Sequence, residues 1–184
     1  SVTLTSVTRS SGTGAIGTAV LKNNPTTMTT PVGRGAMFYA EVTTGGTLTL
    51  AFNFSASTDA GGIVHEVSGV IAAAPFVDSK MQTQLNPGTG TDALTSGTLS
   101  PIAASGDYLF GFFIDVAIHP VTFTQGTGFT LRQIYANAMF SESRTDGGSV
   151  ATGTWNNANA DAISGGMVLS GNAAGDTLLG QVLT

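Results

Sequence analysis

The sequence contains no cysteine and few charged residues for its length. Because the chain has no thiol group, it can form no disulfide bond and no cysteine-based zinc site, and it cannot use thiol catalysis. Charged residues make up 9% of the 184 residues, whereas roughly 25% is usual in soluble domains. Since 41% of the residues are hydrophobic, the chain is too apolar for a disordered segment. The polar surface must therefore consist mainly of hydroxyl and amide groups.

Basic side chains are especially scarce, and the formal net charge is −5. A protein that binds nucleic acid or anionic lipid needs clustered cations to pair with phosphate groups. The six basic residues here are spread along the chain: Arg9, Lys22, Arg34, Lys80, Arg132 and Arg144. We therefore expect no nucleic-acid partner. We also expect no membrane insertion, because no apolar stretch is long enough to span a bilayer.

Turn-forming residues recur about every ten positions, with alternating or continuous apolar runs between them. This spacing predicts an all-β, antiparallel β-sandwich of jelly-roll-like architecture with very little helix. The length fits a single domain over residues 1–184, with 171–184 as a candidate C-terminal extension or exchanged strand. The predicted strands are residues 2–9, 15–22, 36–43, 47–54, 62–69, 107–118, 121–124, 130–134, 136–143, 149–155 and 163–170, with 177–183 as a further candidate.

Two of these strands have distinctive patterns. Residues 108–115 are apolar at both odd and even positions, that is, at both parities, which predicts a central strand covered on both faces. Residues 47–54 instead place four apolar side chains, from Leu48 to Phe54, on one face. The Gly45-Gly46 pair ahead of them predicts a tight hairpin with residues 36–43, because glycine accepts the positive φ that such turns need.

Residues 72–94 form the longest predicted loop. The segment is rich in Pro, Asn, Gly, Asp and Thr, and it allows one short helical turn at residues 76–82. Long loops on sandwich domains often carry recognition, so this loop is a candidate recognition element.

Several motifs follow one another along residues 1–170. They are Ala36-Met-Phe-Tyr-Ala40, Gly62-Ile-Val-His-Glu-Val-Ser-Gly-Val70, Ala103-Ala-Ser-Gly-Asp-Tyr-Leu-Phe-Gly111, Gly126-Thr-Gly-Phe-Thr-Leu-Arg132 and Ala151-Thr-Gly-Thr-Trp155. In these motifs the sequence resembles a β-sandwich domain found in phage structural proteins and in bacterial extracellular or surface proteins. The resemblance implies a structural role and carries over no catalytic residue. Such domains have one or two strands before the region that matches residues 2–9, and their absence here would leave a sheet edge open.

The two histidines do not form a catalytic pattern. His65 and Glu66 are neighbours in a predicted strand, so their side chains face opposite ways and cannot act as a dyad. Whichever of them points inward is expected to be hydrogen-bonded. His119 precedes a proline and is expected to be an exposed turn residue.

The carboxylates are equally unpromising for catalysis. Asp107 and Asp115 would lie about 26 Å apart in an extended strand, too far for paired acid–base chemistry. We expect Asp115 either to pair with Arg132 or a hydroxyl, or to begin the exposed end of its strand. Glu142 and Asp146 flank Arg144 in what reads as a charged strand end and turn. The sequence therefore predicts no enzyme, no metal site and no cofactor.

One segment suggests ligand binding. Trp155, Asn156 and Asn157 form the tripeptide Trp-Asn-Asn, and an indole ring beside amides is typical of some sugar-binding sites. A tryptophan that closes the end of the sandwich core is the alternative interpretation. A carbohydrate-binding or adhesion module, with a glycan as partner, is accordingly the second hypothesis for function.

The first hypothesis is a structural subunit of an assembly, either a virion surface or tail component or an extracellular filament. The low charge and the apolar segment after Ala174 indicate a homo-oligomer or polymer that packs through sheet edges and terminal strands. The candidate assembly residues lie near the two ends of the sequence: Val2, Leu4, Leu178, Leu179, Val182 and Leu183. For a subunit of this kind we expect a location outside the cell or in a virion.

Overall fold

The computed structural model describes residues 2–29, 32–71, 74–85, 90–101, 103–117, 119–156 and 161–183, with residues 172–179 described by their backbone. The described residues contain no helix, and the prediction of an all-β antiparallel sandwich is confirmed. The strands are β1 (Leu4–Ser11), β2 (Ala15–Ile16), β3 (Val20–Thr29), β4 (Val32–Thr44), β5 (Thr49–Phe54), β6 (Gly61–Val70), β7 (Phe76–Gln84), β8 (Thr91–Thr95), β9 (Tyr108–Asp115), β10 (Phe123–Gln125), β11 (Thr130–Tyr135), β12 (Met139–Arg144), β13 (Thr152–Asn156), β14 (Ala162–Leu169) and β15 (Gly171–Leu183).

These strands form four antiparallel sheets. Sheet 1 pairs β1 with β5. Sheet 2 has the order β2-β4-β15-β6, with β3 also paired to β4. Sheet 3 has the order β11-β12-β9-β14-β7, and sheet 4 has the order β10-β13-β8.

The apolar clusters show that the sheets are stacked in this order. Val7 and Phe38 pack together between sheets 1 and 2, and Met37 packs with Phe112 between sheets 2 and 3. Phe113 packs with Trp155 between sheets 3 and 4. Sheets 2 and 3 are consequently covered on both faces, which explains how a chain with so little charge buries so much apolar surface.

Strand β9 is central, as its sequence predicts. It lies between β12 and β14, and all its residues except the first are buried. Because side chains alternate along a strand, Phe112 faces sheet 2 while the adjacent Phe113 faces sheet 4. The apolar residues at both parities therefore serve two separate cores.

Strand β15 follows every other strand in sequence, yet it lies in the interior of sheet 2. It pairs antiparallel with β4 on one side and with β6 on the other. Val182, for example, is opposite Ala36 of β4 and Gly62 of β6. Since Val182 faces sheet 1 and Leu183 faces sheet 3, β15 contributes to the cores on both sides of its sheet.

The predicted loop at residues 72–94 is wrong in its main part. Strand β7 occupies the place of the suggested helical turn at 76–82 and forms an edge of sheet 3, paired with β14. Strand β8 begins at Thr91 and pairs with β13 in sheet 4. Strand β7 is largely polar and β8 is short, so neither sequence shows apolar alternation. Their pairing with apolar neighbouring strands decides their conformation.

The predicted hairpin at Gly45-Gly46 is also wrong. Strand β4 pairs with β15, β3 and β2, whereas β5 pairs only with β1 among the described strands. The chain therefore turns at Gly46, where φ is +138°, and passes from sheet 2 to sheet 1. A glycine pair indicates where the chain turns, but the burial of Phe52 against sheet 2 decides which strand it meets afterwards.

Several predicted boundaries also shift, two of them in a way that changes the chain path. The predicted strand at residues 15–22 divides into the short β2 and the longer β3. The predicted strand start at Ala136 is instead a tight turn, in which Ala136 and Asn137 both have φ of 52°. This turn joins β11 to β12 as a hairpin, and it uses the left-handed conformation without a glycine.

Candidate functional site

A polar pocket of about 220 Å³ lies between sheets 2 and 3. Strand β6 forms an edge of sheet 2 and packs on β12, while β11 continues sheet 3 beyond β12. We call this space the β6–β11 pocket. The residues that define its chemistry are His65, Glu66, Tyr108, Phe110, Arg132 and Ser143.

Arg132 enters this pocket because of an irregularity in β11. Leu131 pairs with Glu142 and Gln133 pairs with Ser141, so Arg132 is an extra residue with no opposite partner. Such a bulge redirects the side chain that it contains. The Nε–H of Arg132 donates to the Oγ of buried Ser143 at 2.7 Å, which fixes the guanidinium at the pocket.

His65 points inward and Glu66 points outward, so the predicted opposite orientation of the two neighbours is confirmed. A hydrogen bond of 2.7 Å joins the His65 Nε2 to the Oγ of buried Ser141. Burial lowers the pKa of His65, and the nearby charge of Arg132 lowers it further. The imidazole is therefore neutral at neutral pH, and Ser141 and Ser143 hold the two basic groups side by side.

Asp115 is fully buried, so the alternative of an exposed strand end was wrong, and the partners found for it differ from the predicted Arg132 or hydroxyl. Its carboxylate accepts hydrogen bonds from the backbone N–H groups of Ala117 and His119 and lies 3.0 Å from the His119 Nδ1. Burial raises the pKa of Asp115, although these contacts oppose the rise. His119 is thus a partner of Asp115, although its side chain remains 39% exposed.

Glu142 is the most perturbed titratable group. It is completely buried on the sheet 4 side of β12, and its Oε2 accepts the Gly126 N–H at 2.9 Å. Its Oε1 has no hydrogen-bond partner among the described residues. Gly111 on β9 leaves room for this side chain, because a Cβ there would lie 2.8 Å from it. The interpretation of residues 142–146 as a charged strand end was therefore wrong for Glu142. It holds for Arg144 and Asp146, which form an ion pair with 2.5 Å between Nε and Oδ1.

Burial raises the pKa of Glu142 to about 7, against the opposing effects of the Gly126 and Thr152 N–H groups and of Arg144. Between its ordinary pKa of 4.5 and about 7, the folded state holds a proton that the unfolded chain has released. Stability must therefore fall as the pH rises through this window and stay lower above it. The fall attributable to this carboxyl group is about 3 kcal/mol.

We expect Glu142→Gln to remove most of this fall and to be more stable than the original chain at pH 8. Urea denaturation midpoints at pH 5, 6, 7 and 8 measure the effect. Glu41→Gln is the matched control, because Glu41 is exposed, and its curve should follow that of the original chain. Parallel pH dependence in Glu142→Gln and the original chain would refute the assignment.

The tripeptide suggested for ligand binding lies mainly in the core. Trp155 is 1% exposed and packs between sheets 3 and 4, so its ring faces are covered and offer no stacking surface. Its Nε1–H has no partner among the described residues. Asn156 is exposed, and its Oδ1 accepts the Thr122 N–H at 3.1 Å. Asn157 lies outside the described residues.

The structure places the candidate assembly residues as follows. Leu4, Val182 and Leu183 are buried in the chain's own cores, at 2%, 2% and 7% exposure, and Val2 is half-buried. The side chains of Leu178 and Leu179 lie outside the described set, but their backbones pair with both β4 and β6. The edge that was expected to be open near residues 2–9 belongs to β1, which pairs only with β5 among the described strands.

A second, apolar cavity of about 320 Å³ lies where β15 ends. It is lined by Val32, Tyr135, Met139 and Leu183, with Asp59 at its polar side. Val32 is 74% exposed and Tyr135 is half exposed, which is unusual for apolar and aromatic side chains next to a cavity.

Within the described ranges, no group of three histidine or carboxylate side chains is placed to hold a metal ion. Nor does that part of the chain contain a helix with the length and hydropathy of a membrane span. No family model matches the sequence, and no significant match is found to a curated protein or to a solved structure.

Proposed function

We propose that this chain is a non-enzymatic structural subunit that assembles with copies of itself by exchanging strand β15, in an extracellular or virion setting. The observation that carries the proposal is the position of β15 between β4 and β6. Because β15 follows the other described strands in the chain, those strands without it would leave an open slot between β4 and β6. The resemblance to domains of phage structural and bacterial surface proteins agrees with this role.

The slot for β15 is specific and apolar. Without β15, both β4 and β6 would present unpaired backbone edges, which readily recruit a strand from another chain. The slot also takes up Val182 on one face and Leu183 on the other. An identical β15 from a second copy offers the same side chains and the same register, so exchange costs little free energy.

The beginning of β15 offers a hinge for this exchange. Its pairing with β6 runs without a break from Asp176 to Leu183, but is irregular between Gly171 and Asp176. Gly171 is opposite Val70, and Asp176 is already opposite Ser68. A change of backbone direction within this stretch would send residues 177–183 to a neighbouring molecule and leave β14 in place.

Exposed apolar groups at the opposite end of β15 from this hinge support packing between copies. The cavity beside Leu183 is bordered by exposed Val32 and Tyr135. Apolar side chains grouped in this way are more common at protein–protein contacts than on isolated monomers. They lie at the end of the slot that receives Leu183 of an exchanged strand.

Introduced cysteines test the exchange, because the chain has none of its own. Ala36 and Val182 are directly opposite in the β4–β15 pairing, and both are buried between sheets 1 and 2. We expect an Ala36→Cys chain, refolded together with a Val182→Cys chain and oxidised, to yield a covalent dimer on a non-reducing gel. Neither chain alone should yield it to the same extent.

A Val168→Cys chain is the matched control for this experiment. Val168 is equally buried, but it packs between sheets 3 and 4, away from Ala36. Its mixture with Ala36→Cys should give no dimer above background. If the Ala36→Cys and Val182→Cys mixture also gives none, while the double variant closes within one chain, strand exchange is rejected. Electron microscopy and light scattering of the unmodified protein complete the test, since a chain that stays monomeric at every concentration is not an assembly subunit.

A further inference from the structure

The β6–β11 pocket contains one cationic group with free donors. The Nε–H of Arg132 is committed to Ser143, and among the described residues neither terminal nitrogen of this guanidinium has an acceptor. These two nitrogens form the planar fork that binds a carboxylate through two parallel hydrogen bonds. The bulge in β11 and the hydrogen bond to Ser143 prearrange that fork at the pocket.

The other groups in the pocket are suited to hydroxyls and to a ring. His65 is neutral at neutral pH, and with Ser143 and the Tyr108 hydroxyl it supplies neutral donors and acceptors. The half-buried ring of Tyr108 is stacked with the buried Phe110, with ring centroids 6.1 Å apart. An aromatic ring held in this way provides a flat apolar surface for the face of a sugar.

The charge of the chain disfavours a polyanion in this place, since the net charge of −5 repels diffuse negative charge. A single carboxylate on the Arg132 fork offsets this repulsion with two charge-assisted hydrogen bonds. The pocket, at about 220 Å³, is also small, which suits one residue of a ligand rather than a long segment.

We propose that the β6–β11 pocket binds the carboxylate-bearing residue of an acidic sugar, with Arg132 holding the carboxylate. His65, Ser143 and the Tyr108 ring contact the hydroxyls and the face of the sugar. None of the β15 side chains that the structure describes lines this pocket, so the proposed site does not depend on Val182 or Leu183. It also differs from the site suggested by the sequence at Trp155, which is buried on the far side of sheet 3.

Titration of the intact chain followed by NMR tests the proposal. The probes are glucuronate, its methyl glycoside, glucose as the neutral match, and acetate as a carboxylate without a ring. We expect glucuronate to bind at least tenfold more tightly than glucose or acetate and to shift the signals of the Arg132 side chain and the His65 ring. If the methyl glycoside binds more tightly than free glucuronate, the natural ligand is the end of a glycan chain. If free glucuronate binds more tightly, the natural ligand is a free sugar acid.

Arg132→Gln should weaken glucuronate binding at least tenfold, because a hydrogen-bonded charge pair is lost. Arg9→Gln is the matched control, since it removes the same charge from an exposed position in sheet 1, away from the pocket, and should leave the affinity unchanged. Both sites are exposed, so neither variant threatens the fold. Equal binding of glucuronate, glucose and acetate would overturn the proposal, as would equal weakening by Arg132→Gln and Arg9→Gln.

Discussion

A chain shortened to residues 1–170 is expected to lose its cooperative unfolding transition. The truncation removes β15 and leaves the facing edges of β4 and β6 without hydrogen-bond partners. Burial of Val182 and Leu183 alone contributes about 3–6 kcal/mol, which is comparable with the roughly 5–15 kcal/mol of total stability typical of domains. Circular dichroism during heating and in urea measures the loss.

A peptide of residues 171–184 should restore the transition when it is added to the shortened chain. A scrambled peptide of the same composition is the control and should have no effect, since the slot requires apolar side chains at Val182 and Leu183 on opposite faces. An unchanged melting curve for the shortened chain alone would show that β15 is dispensable. That result would also remove the structural basis for strand exchange.

The second large effect is expected in β9. Phe112→Ala and Phe113→Ala should each lower the free energy of unfolding by about 3–5 kcal/mol, because both rings are fully buried and each substitution leaves a cavity. The rings belong to different cores, one facing sheet 2 and the other sheet 4. Urea denaturation of the two variants measures the loss from each core separately.

Phe52→Ala is the control for ring removal at a less buried position. Phe52 is half-buried in the two-stranded sheet 1, so its loss should be clearly smaller than that of either β9 ring. A cost below about 1 kcal/mol for Phe112→Ala or Phe113→Ala is incompatible with a closely packed core on that face of sheet 3.

Patterns within single strands were predictable from the sequence. The apolar residues at both parities of residues 108–115 correctly predict a central strand, because only a strand covered on both faces can bury them all. The adjacent positions of His65 and Glu66 likewise place one inward and one outward, because alternation is a property of any extended backbone. These predictions need no knowledge of which strands are neighbours.

The polar sites were less predictable. Arg132 reaches its pocket through a bulge, and a bulge depends on the register between two strands rather than on the local residues. Glu142 looks like a surface residue beside Arg144, but it is buried because sheet 4 covers that face of β12. A sequence signal was present at Gly111, whose missing side chain leaves room for Glu142. A glycine within a strand can equally mark a bulge, a bend or a close backbone approach, so this signal does not point to a buried carboxyl group.

The sequence by itself determined the all-β class, the lack of thiol chemistry and the central position of β9, because composition and alternation depend only on residue type and order. The tertiary structure alone decided that β15 lies between β4 and β6, that the turn at Gly45-Gly46 joins two different sheets, and that four sheets are stacked. Strand pairing brings together residues far apart in sequence, so its free energy comes from contacts that no local pattern records. For the same reason the β6–β11 pocket, built from strands that are separated in the chain, was not visible before they were assembled.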